Sequence, residues 1–418
     1  MARSRLATVG VALLAIGMNA QAAEPEFSGQ IRTWWMEQRA NANGPLAQAD
    51  ALVPGLLALP RSNGTLEAEL RASGHGITAV GTLHGQHDEG GPTSSHGTFN
   101  ELYASRDAWG WAFSAGKKIV SWDVGYGFRP NDVVEQEPRR TLLATTPEGR
   151  AVLTAEHFSA STAWTFVLVN PTKSRDALGP DEPALAARVY QRDGALDWHG
   201  FARWGARTHA SLGGAVAWVA SDSVELHASA RLLARADTLA IDPGLAAGAL
   251  ASTNPWQPAS VSRPVQALVG GTWTNEAQLS VLVEAWWDGT ALSDRQWDDW
   301  AVRNQALARI AVDPPPGLPA QAIAGNIAMQ ATAFTASTNL RRANLYARAS
   351  WQVDKWQPVI DMLYTPADRG RIVTASLGWQ GDRVRIDAGV RVYGGPSDAL
   401  LAQVPTRRIA YIAGTWPF

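Results

Sequence analysis

The chain has 418 residues, no cysteine and a formal net charge of -2, with a sequence pI near 6.5. Those values exclude disulfides and thiolate metal sites and give no electrostatic case for a nucleic-acid partner. Charged residues make up 18 % of the chain, below the roughly 25 % of soluble domains, and 19 Trp outnumber both Phe and Tyr.

The chain opens with Arg3 and Arg5, an apolar run from Leu6 to Met18, and the small-x-small triplet Ala20-Gln21-Ala22. This reads as a secretory signal peptide over 1–22, cleaved near Ala22. An uncleaved helical anchor is the competing reading, but the run is shorter than the ~20 residues a spanning helix needs. No later segment reaches that length, and nothing resembles an interdomain linker, so 23–418 is expected to be one domain.

From there the chain alternates. In 64–73, Leu66, Ala68, Leu70 and Ala72 oppose Glu67, Glu69 and Arg71. In 195–204, Leu196, Trp198, Gly200, Ala202 and Trp204 oppose Asp197, His199, Phe201 and Arg203. In 222–234, Val224, Leu226, Ala228, Ala230 and Leu232 oppose Glu225, His227, Ser229 and Arg231. Arg348 takes the polar face of 341–352. In 382–393, Val384, Ile386, Ala388, Val390 and Val392 oppose Arg383, Arg385, Asp387 and Arg391. Period-2 patterning means β-strands with one apolar face. A soluble sandwich or β-helix alternates too. A membrane barrel is favoured by segments of about nine to eleven residues, the length of a tilted spanning strand. It is also favoured by aromatics near segment ends: Trp34, Trp35, Trp109, Trp111, Trp204, Trp286, Trp287, Trp351, Trp379, Tyr393 and Trp416.

The chain ends on RRIAYIAGTWPF, with Phe418, Trp416, Gly414, Ile412 and Ala410 on one face. This resembles the C-terminal signature of Gram-negative outer-membrane barrels, although Pro417 departs from it. The resemblance implies a location in the cell outer membrane, lipid against the apolar face, and Trp416 and Phe418 as an assembly signal for the barrel-assembly machinery.

Eighteen strands fit: 27–39, 64–73, 76–86, 98–106, 109–119, 150–158, 161–170, 184–192, 195–204, 207–219, 222–234, 263–274, 277–287, 341–352, 356–364, 370–379, 382–393 and 407–418. Every second connection is short, as periplasmic turns are, and the long ones fall on the outside. The expectation is an all-β, single, antiparallel up-and-down transmembrane barrel of about 18 strands, with 16 as the alternative count. A barrel of that size encloses an aqueous lumen unless loops fill it.

Charge is densest in GKKIVSWDVGYGFRPNDVVEQEPRR: Lys117, Lys118, Asp123, Arg129, Asp132, Glu135, Glu137, Arg139 and Arg140. Gly125, Gly127, Pro130 and Pro138 fix its backbone, and Trp122, Tyr126 and Phe128 are suited to pinning it to a wall. One reading is a loop folded into the lumen whose charges line a constriction; the other is a solvated loop with internal ion pairs. Gly116, Lys117, Lys118, Trp122 and Gly125 also loosely resemble the alginate-export and related large-barrel families, with Asp123 where Gly is expected. That resemblance implies an eighteen-stranded export or uptake channel and no particular substrate.

In the longest outside connection, Ser293 and Gln296 form a capping-box pattern, and Trp297, Trp300, Leu307 and Ile310 recur at helical spacing. A short helix is expected, either lidding the mouth or packed on the rim. His84, His87, Asp88, Glu89 and His96 are metal-ligand types, but strand spacing parts His84 from His87, so no metal and no cofactor are assigned. Asp197 with His199 and Glu225 with His227 line the wall. No nucleophile elbow or phosphate loop appears, so the chain reads as a non-enzyme, with a barrel-embedded hydrolase as the outlying alternative. The inward residues Glu67, Glu69, Asp197, Glu225 and Asp387 stand against Arg71, Arg203, Arg231, Arg348, Arg383, Arg385 and Arg391. The resulting expectation is a channel for a polar or anionic solute, taken up or exported. The alternative is a barrel plugged by its own loops that holds a periplasmic or surface partner. Trimer and monomer are left open.

Overall fold

The structure is a computed structural model that describes residues 25–135, 139–143, 145–242, 244–245 and 250–418. The expected signal peptide, Glu137 and Pro138 lie outside the described residues.

The strands fall where alternation places them. β1 (Glu26–Ala40), β2 (Asn63–Gly74), β3 (Ile77–Asp88), β4 (Thr93–Ala108) and β5 (Trp111–Lys118) come first. β6 (Arg150–Phe158), β7 (Thr162–Val169), β8 (Ala184–Asp193), β9 (Leu196–Gly205), β10 (His209–Ser221) and β11 (Val224–Leu233) follow. A separate hairpin, β12 (Arg235–Ile241) with β13 (Trp256–Ser262), stands outside the barrel. Then come β14 (Val265–Thr274), β15 (Leu279–Asp288), β16 (Ala343–Trp351), β17 (Trp356–Thr365), β18 (Gly370–Gln380), β19 (Arg385–Gly394) and β20 (Thr406–Pro417). Each barrel strand pairs antiparallel with its neighbours, and β1 closes on β20, giving an 18-stranded up-and-down barrel. The count of 16 is set aside.

The two faces differ as the pattern requires. Leu66, Leu70, Leu83, Phe99, Leu185, Leu212, Val269, Ile360 and Ile412 are exposed on the outer face. Glu67, Thr82, Ser114, Thr154, Arg203 and Arg231 are buried on the inner one. Exposed Trp109, Trp164, Trp198, Trp218, Trp273, Trp351, Trp356 and Trp416 gather at the short-turn end, whereas Trp35, Trp204 and Trp287 mark the long-loop end. Trp34 and Trp286 are buried inside the barrel rather than on a girdle. At the closure, Phe418 exchanges both backbone hydrogen bonds with Gly29, at 2.9 Å each. Pro417 fits because ladder bonds alternate sides. Its missing donor faces β19, whose pairing with β20 has already ended at Arg385 opposite Thr415.

Three departures from the sequence reading have physical causes. The 87–97 connection contracts to 89–92, because the β3–β4 ribbon extends past the apolar belt into polar residues that carry no one-sided pattern. The β12–β13 hairpin hides in a loop whose apolar residues serve loop packing. Finally, the helix at Ser293 runs the full Asp294–Val312 (α2), 19 residues, and is joined by α1 (Pro45–Leu52) and α3 (Ala320–Met329). The capping box is present: Gln296 N donates to Ser293 Oγ at 3.3 Å, and Ser293 N to Gln296 Oε1 at 2.9 Å. α2 packs into a cap of loops. Trp297 and Trp300 meet Ile241, Trp256, Ala333 and Leu400, while Leu307 joins Ala49, Ile323, Ala324 and Ile327.

Candidate pore constriction

Residues 119–149, here the inner loop, leave β5 at a glycine that no other residue replaces. Gly116 has φ +136°, and a Cβ there would stand 2.2 Å from the Leu102 carbonyl oxygen. The loop then crosses the lumen. Tyr126 stacks on Tyr346 of β16 at 6.1 Å, and β16 is the fourteenth barrel strand, nine places round from β5 and so diametrically opposite.

One side of the loop is packed like a core. Trp122, Val133 and Val134 bury against Val152, Val167, Val169, Ala184, Ala186, Phe201 and Ala215 on β6–β10. Polar groups complete this seal. Asp132 accepts Ser121 Oγ at 3.1 Å and Trp122 N at 3.2 Å. Asn131 Nδ2 donates to Gly214 O, Ser229 Oγ and Ala230 O. Arg231 donates to Pro130 O at 3.2 Å and to Ser211 Oγ at 2.9 Å. Asp123 has φ +100° and accepts Asn131 N at 2.6 Å and Ser229 Oγ at 2.8 Å. Burial pushes its carboxyl above the usual range, against the pull of those donors and of Arg129.

The tip is held on the far wall. Glu284 of β15 accepts Tyr126 N and Gly127 N, each at 2.6 Å, and Phe128 stacks on Trp286 at 5.8 Å. Arg139 donates to Tyr126 O at 3.0 Å and Arg140 to Gly127 O at 2.8 Å; Arg391 donates to Arg140 O at 2.9 Å.

Two cavities meet at this tip. One, of about 500 Å³ on the cap side, touches Gly127, Phe128, Arg129, Arg139, Arg203, Arg231, Arg235, Glu182, Asp237 and Asp288. The other, about 520 Å³, touches Tyr126, Thr141, Leu142, Arg32, Arg348, Asp361, Arg385, Asp387 and Arg391. Adjacent residues Tyr126 and Gly127 divide them.

The chain is similar in structure to OccD3 (OpdP) of Pseudomonas aeruginosa. The match covers 94 % of this chain and 91 % of that one, with a TM-score of 0.53 and 8 % identity. The fold is that of a porin-like outer-membrane β-barrel. A triple mutant of the porin of Rhodopseudomonas blastica aligns over 94 % of this chain and all of its own, at 11 % identity and a TM-score of 0.43. No protein-family model matches the sequence, and no curated protein does.

Within this porin-like barrel the charges named from the sequence divide into groups. Lys117 pairs with Glu148, and Lys118 with Glu156 at 3.3 Å, both at the loop's base. Asp123, Asp132 and Glu135 are taken up in holding the loop, and Arg129 donates to Gly125 O and Ser121 Oγ within it. Among the described residues of this set, Arg139 and Arg140 stand at the tip. On the wall, Glu67 and Glu69 hold Arg32, and Arg71 pairs with Glu101. Asp197 accepts Tyr190 Oη at 2.8 Å, and Glu225 lies 3.1 Å from His227 Nδ1. Arg203 bonds Glu182 at 2.6 Å. Burial pushes Glu182 up, but Thr208, Arg203 and the Arg207 amide outweigh it and hold the carboxyl below its usual range. Those donors also pin the short 206–208 loop. Arg385 bonds Asp387 at 2.8 Å, and Arg348 lies over the Tyr126 ring at 5.4 Å. Arg383 is a correction: it sits exposed in the turn before β19, because Gly381 N already bonds Val384 O and closes the hairpin there. His84 faces Glu67 and His96, while His87 bonds Thr93 on the other side.

Sequence reasoning missed Glu284, Arg32 and Asp361. Each sits on the inward parity of a strand that had been placed, so reading that face fully would have found them. Their partners are far away in sequence, and no local pattern reports a partner.

Proposed function

We propose that the barrel is a channel that passes small anionic or polar organic solutes across the outer membrane around the tip of the inner loop. The observation that carries this reading is the charge of the second cavity, where four Arg (Arg32, Arg348, Arg385, Arg391) stand against two Asp (Asp361, Asp387). Arg32 and Arg385 are engaged by carboxylates. Arg391 donates to the Thr374 hydroxyl and the Arg140 carbonyl, and Arg348 covers a ring, so among the described residues these two charges face the cavity without a carboxylate in direct contact. The cap-side cavity has five Arg against four acids, so an anion meets a positive wall on both sides. The test is the reversal potential of the purified protein in a planar bilayer under a salt gradient. Anion preference is expected; cation preference overturns the solute class.

A second reading is a barrel closed by its own loops that holds a partner. It is favoured by the apolar seal of Trp122, Val133 and Val134 and by the helical cap. Absence of steady conductance, both from the intact protein and from one lacking 122–140, would favour it.

A further inference from the structure

Glu284 is fully buried and spends its whole carboxylate on three partners. Oε1 accepts the Tyr126 amide and Oε2 the Gly127 amide, both at 2.6 Å. His227 Nε2 lies 3.0 Å from Oε1, and its Nδ1 lies 3.1 Å from Glu225 Oε2. A buried carboxylate is costly unless charge and donors offset it, and here an imidazole and two backbone amides do so. The row is built across three strands: His227 of β11 opposes Gly270 of β14, which opposes Glu284 of β15. Gly270 lets them meet, because a Cβ there would stand 2.6 Å from both Glu284 Cγ and His227 Nε2.

We propose that Glu284 is the positioning residue of the constriction, and that with His227 it forms a proton-dependent latch on the tip of the inner loop. The effect on transport rests on the channel reading above; the latch itself does not. An ionised Glu284 accepts both amides at once. A protonated one must donate from one oxygen, so one amide loses its acceptor and the tip loosens. Acidification therefore releases the loop.

Charged groups reach Glu284 from several elements. His227 lies against its carboxylate, and Arg140 donates to the Gly127 carbonyl beside it. Glu225 faces His227 from β11, Tyr346 stands opposite Glu284 on β16, and Arg348 lies further along that strand. Asp288, on β15 itself, is engaged by Gln266, Thr290 and Asn339. Asp123 lies beyond Ser229, and β14 faces Glu284 with Gly270.

Because the chain has no cysteine, Thr141→Cys gives a single label site on the returning limb of the loop. The experiment attaches a nitroxide to that cysteine at neutral pH and follows its mobility in folded full-length protein, with single-channel conductance alongside, from neutral pH to about pH 3, below the model glutamate value near 4.3. The ratio of mobile to held label is expected to rise about tenfold on acidification, the factor that goes with one lost charge-assisted hydrogen bond. Glu284→Gln is expected to show the mobile label at every pH. A pH-independent mobility in the parent, or a Glu284→Gln protein that keeps the parent's mobility and response, overturns the latch. If Glu284→Gln does not fold, Gly270→Ala parts His227 from Glu284 without changing charge. Release at higher pH then supports the latch, and an unmoved response overturns it. Label mobility that responds as expected in a barrel that never conducts leaves the latch standing and removes the channel reading.

Discussion

Trp122, Val133 and Val134 press the inner loop onto the valines of β6 and β7, where almost no side-chain surface is left to water. On its other side Tyr126, Thr141 and Leu142 border a cavity of about 520 Å³ with an arginine-rich wall. The first contact is apolar, and each fully buried side chain contributes about 1.5–3 kcal/mol. The second depends on hydrogen bonds and ring stacks whose net contributions are about 1 kcal/mol each. One segment thus has a fixed root and an adjustable edge, and in the proposed function solutes pass at the edge.

The strongest way to break this contrast is Val134→Asp. An unpaired carboxylate among Val152, Val167 and Val169 costs several kcal/mol, roughly the whole burial gain of the loop's root. The barrel wall has its own closed ladder, so the expected result is a folded, heat-modifiable barrel with a loosened loop. Single-channel conductance should rise several-fold, and trypsin should cut at Arg129 or Arg139. Unchanged conductance with an intact loop would mean that the root does not hold it.

A paired substitution sharpens the contrast. Asp132→Asn acts at the root, where the carboxylate takes Ser121 Oγ and Trp122 N. It should cost about 1–3 kcal/mol of stability and, because Asp132 also borders the cap-side cavity, move the reversal potential only slightly, toward anions. Arg348→Gln acts at the edge and loses a cation–π contact with Tyr126 and a hydrogen bond to Tyr346, about 1–2 kcal/mol together. It should move the reversal potential toward cations, and by more than Asp132→Asn moves it. If the two effects are exchanged, the assignment of root and edge is wrong.

The two regions also differed in how well the sequence reported them. β2, β9, β11 and β19 were legible because an apolar outer face and a polar inner face impose a period of two along the chain itself. Leu66 and Leu70 against Glu67 is a local signal. The inner loop was legible as a charged, glycine-rich insertion, yet the roles within it were not. Asp132 and Glu135 look like pore-lining acids in sequence; each borders a cavity and each is also a buried fixing, a second role set by Ser121 and Trp122 of the loop and Arg150 of β6. Glu284 looked like one more alternating residue until the fold brought Tyr126 and Gly127 to it. The C-terminal pattern was read correctly down to Pro417, because strand-end geometry is local. Arg383 was misplaced because strand ends are fixed by the turn's hydrogen bond rather than by hydrophobic period.

The finest test lies at Asp123, between root and edge. Its φ of +100° belongs to the region that favours glycine, and its carboxylate takes the Val124, Asn131 and Ser229 donors in compensation. Burial still raises its pKa above the unfolded value. The sign follows from linkage. A carboxyl whose folded pKa is raised is penalised while ionised, and the penalty fades as pH falls through the folded pKa toward the unfolded value near 3.9. Asp123→Asn mimics the protonated form. It should therefore stabilise the loop by no more than about 1 kcal/mol at neutral pH, with the gain vanishing on acidification toward about pH 4. Melting of both proteins across that range reads it out. A substitution that destabilises at neutral pH, by an amount that shrinks as pH falls, would mean that the three donors outweigh burial and that Asp123 belongs with the fixed root.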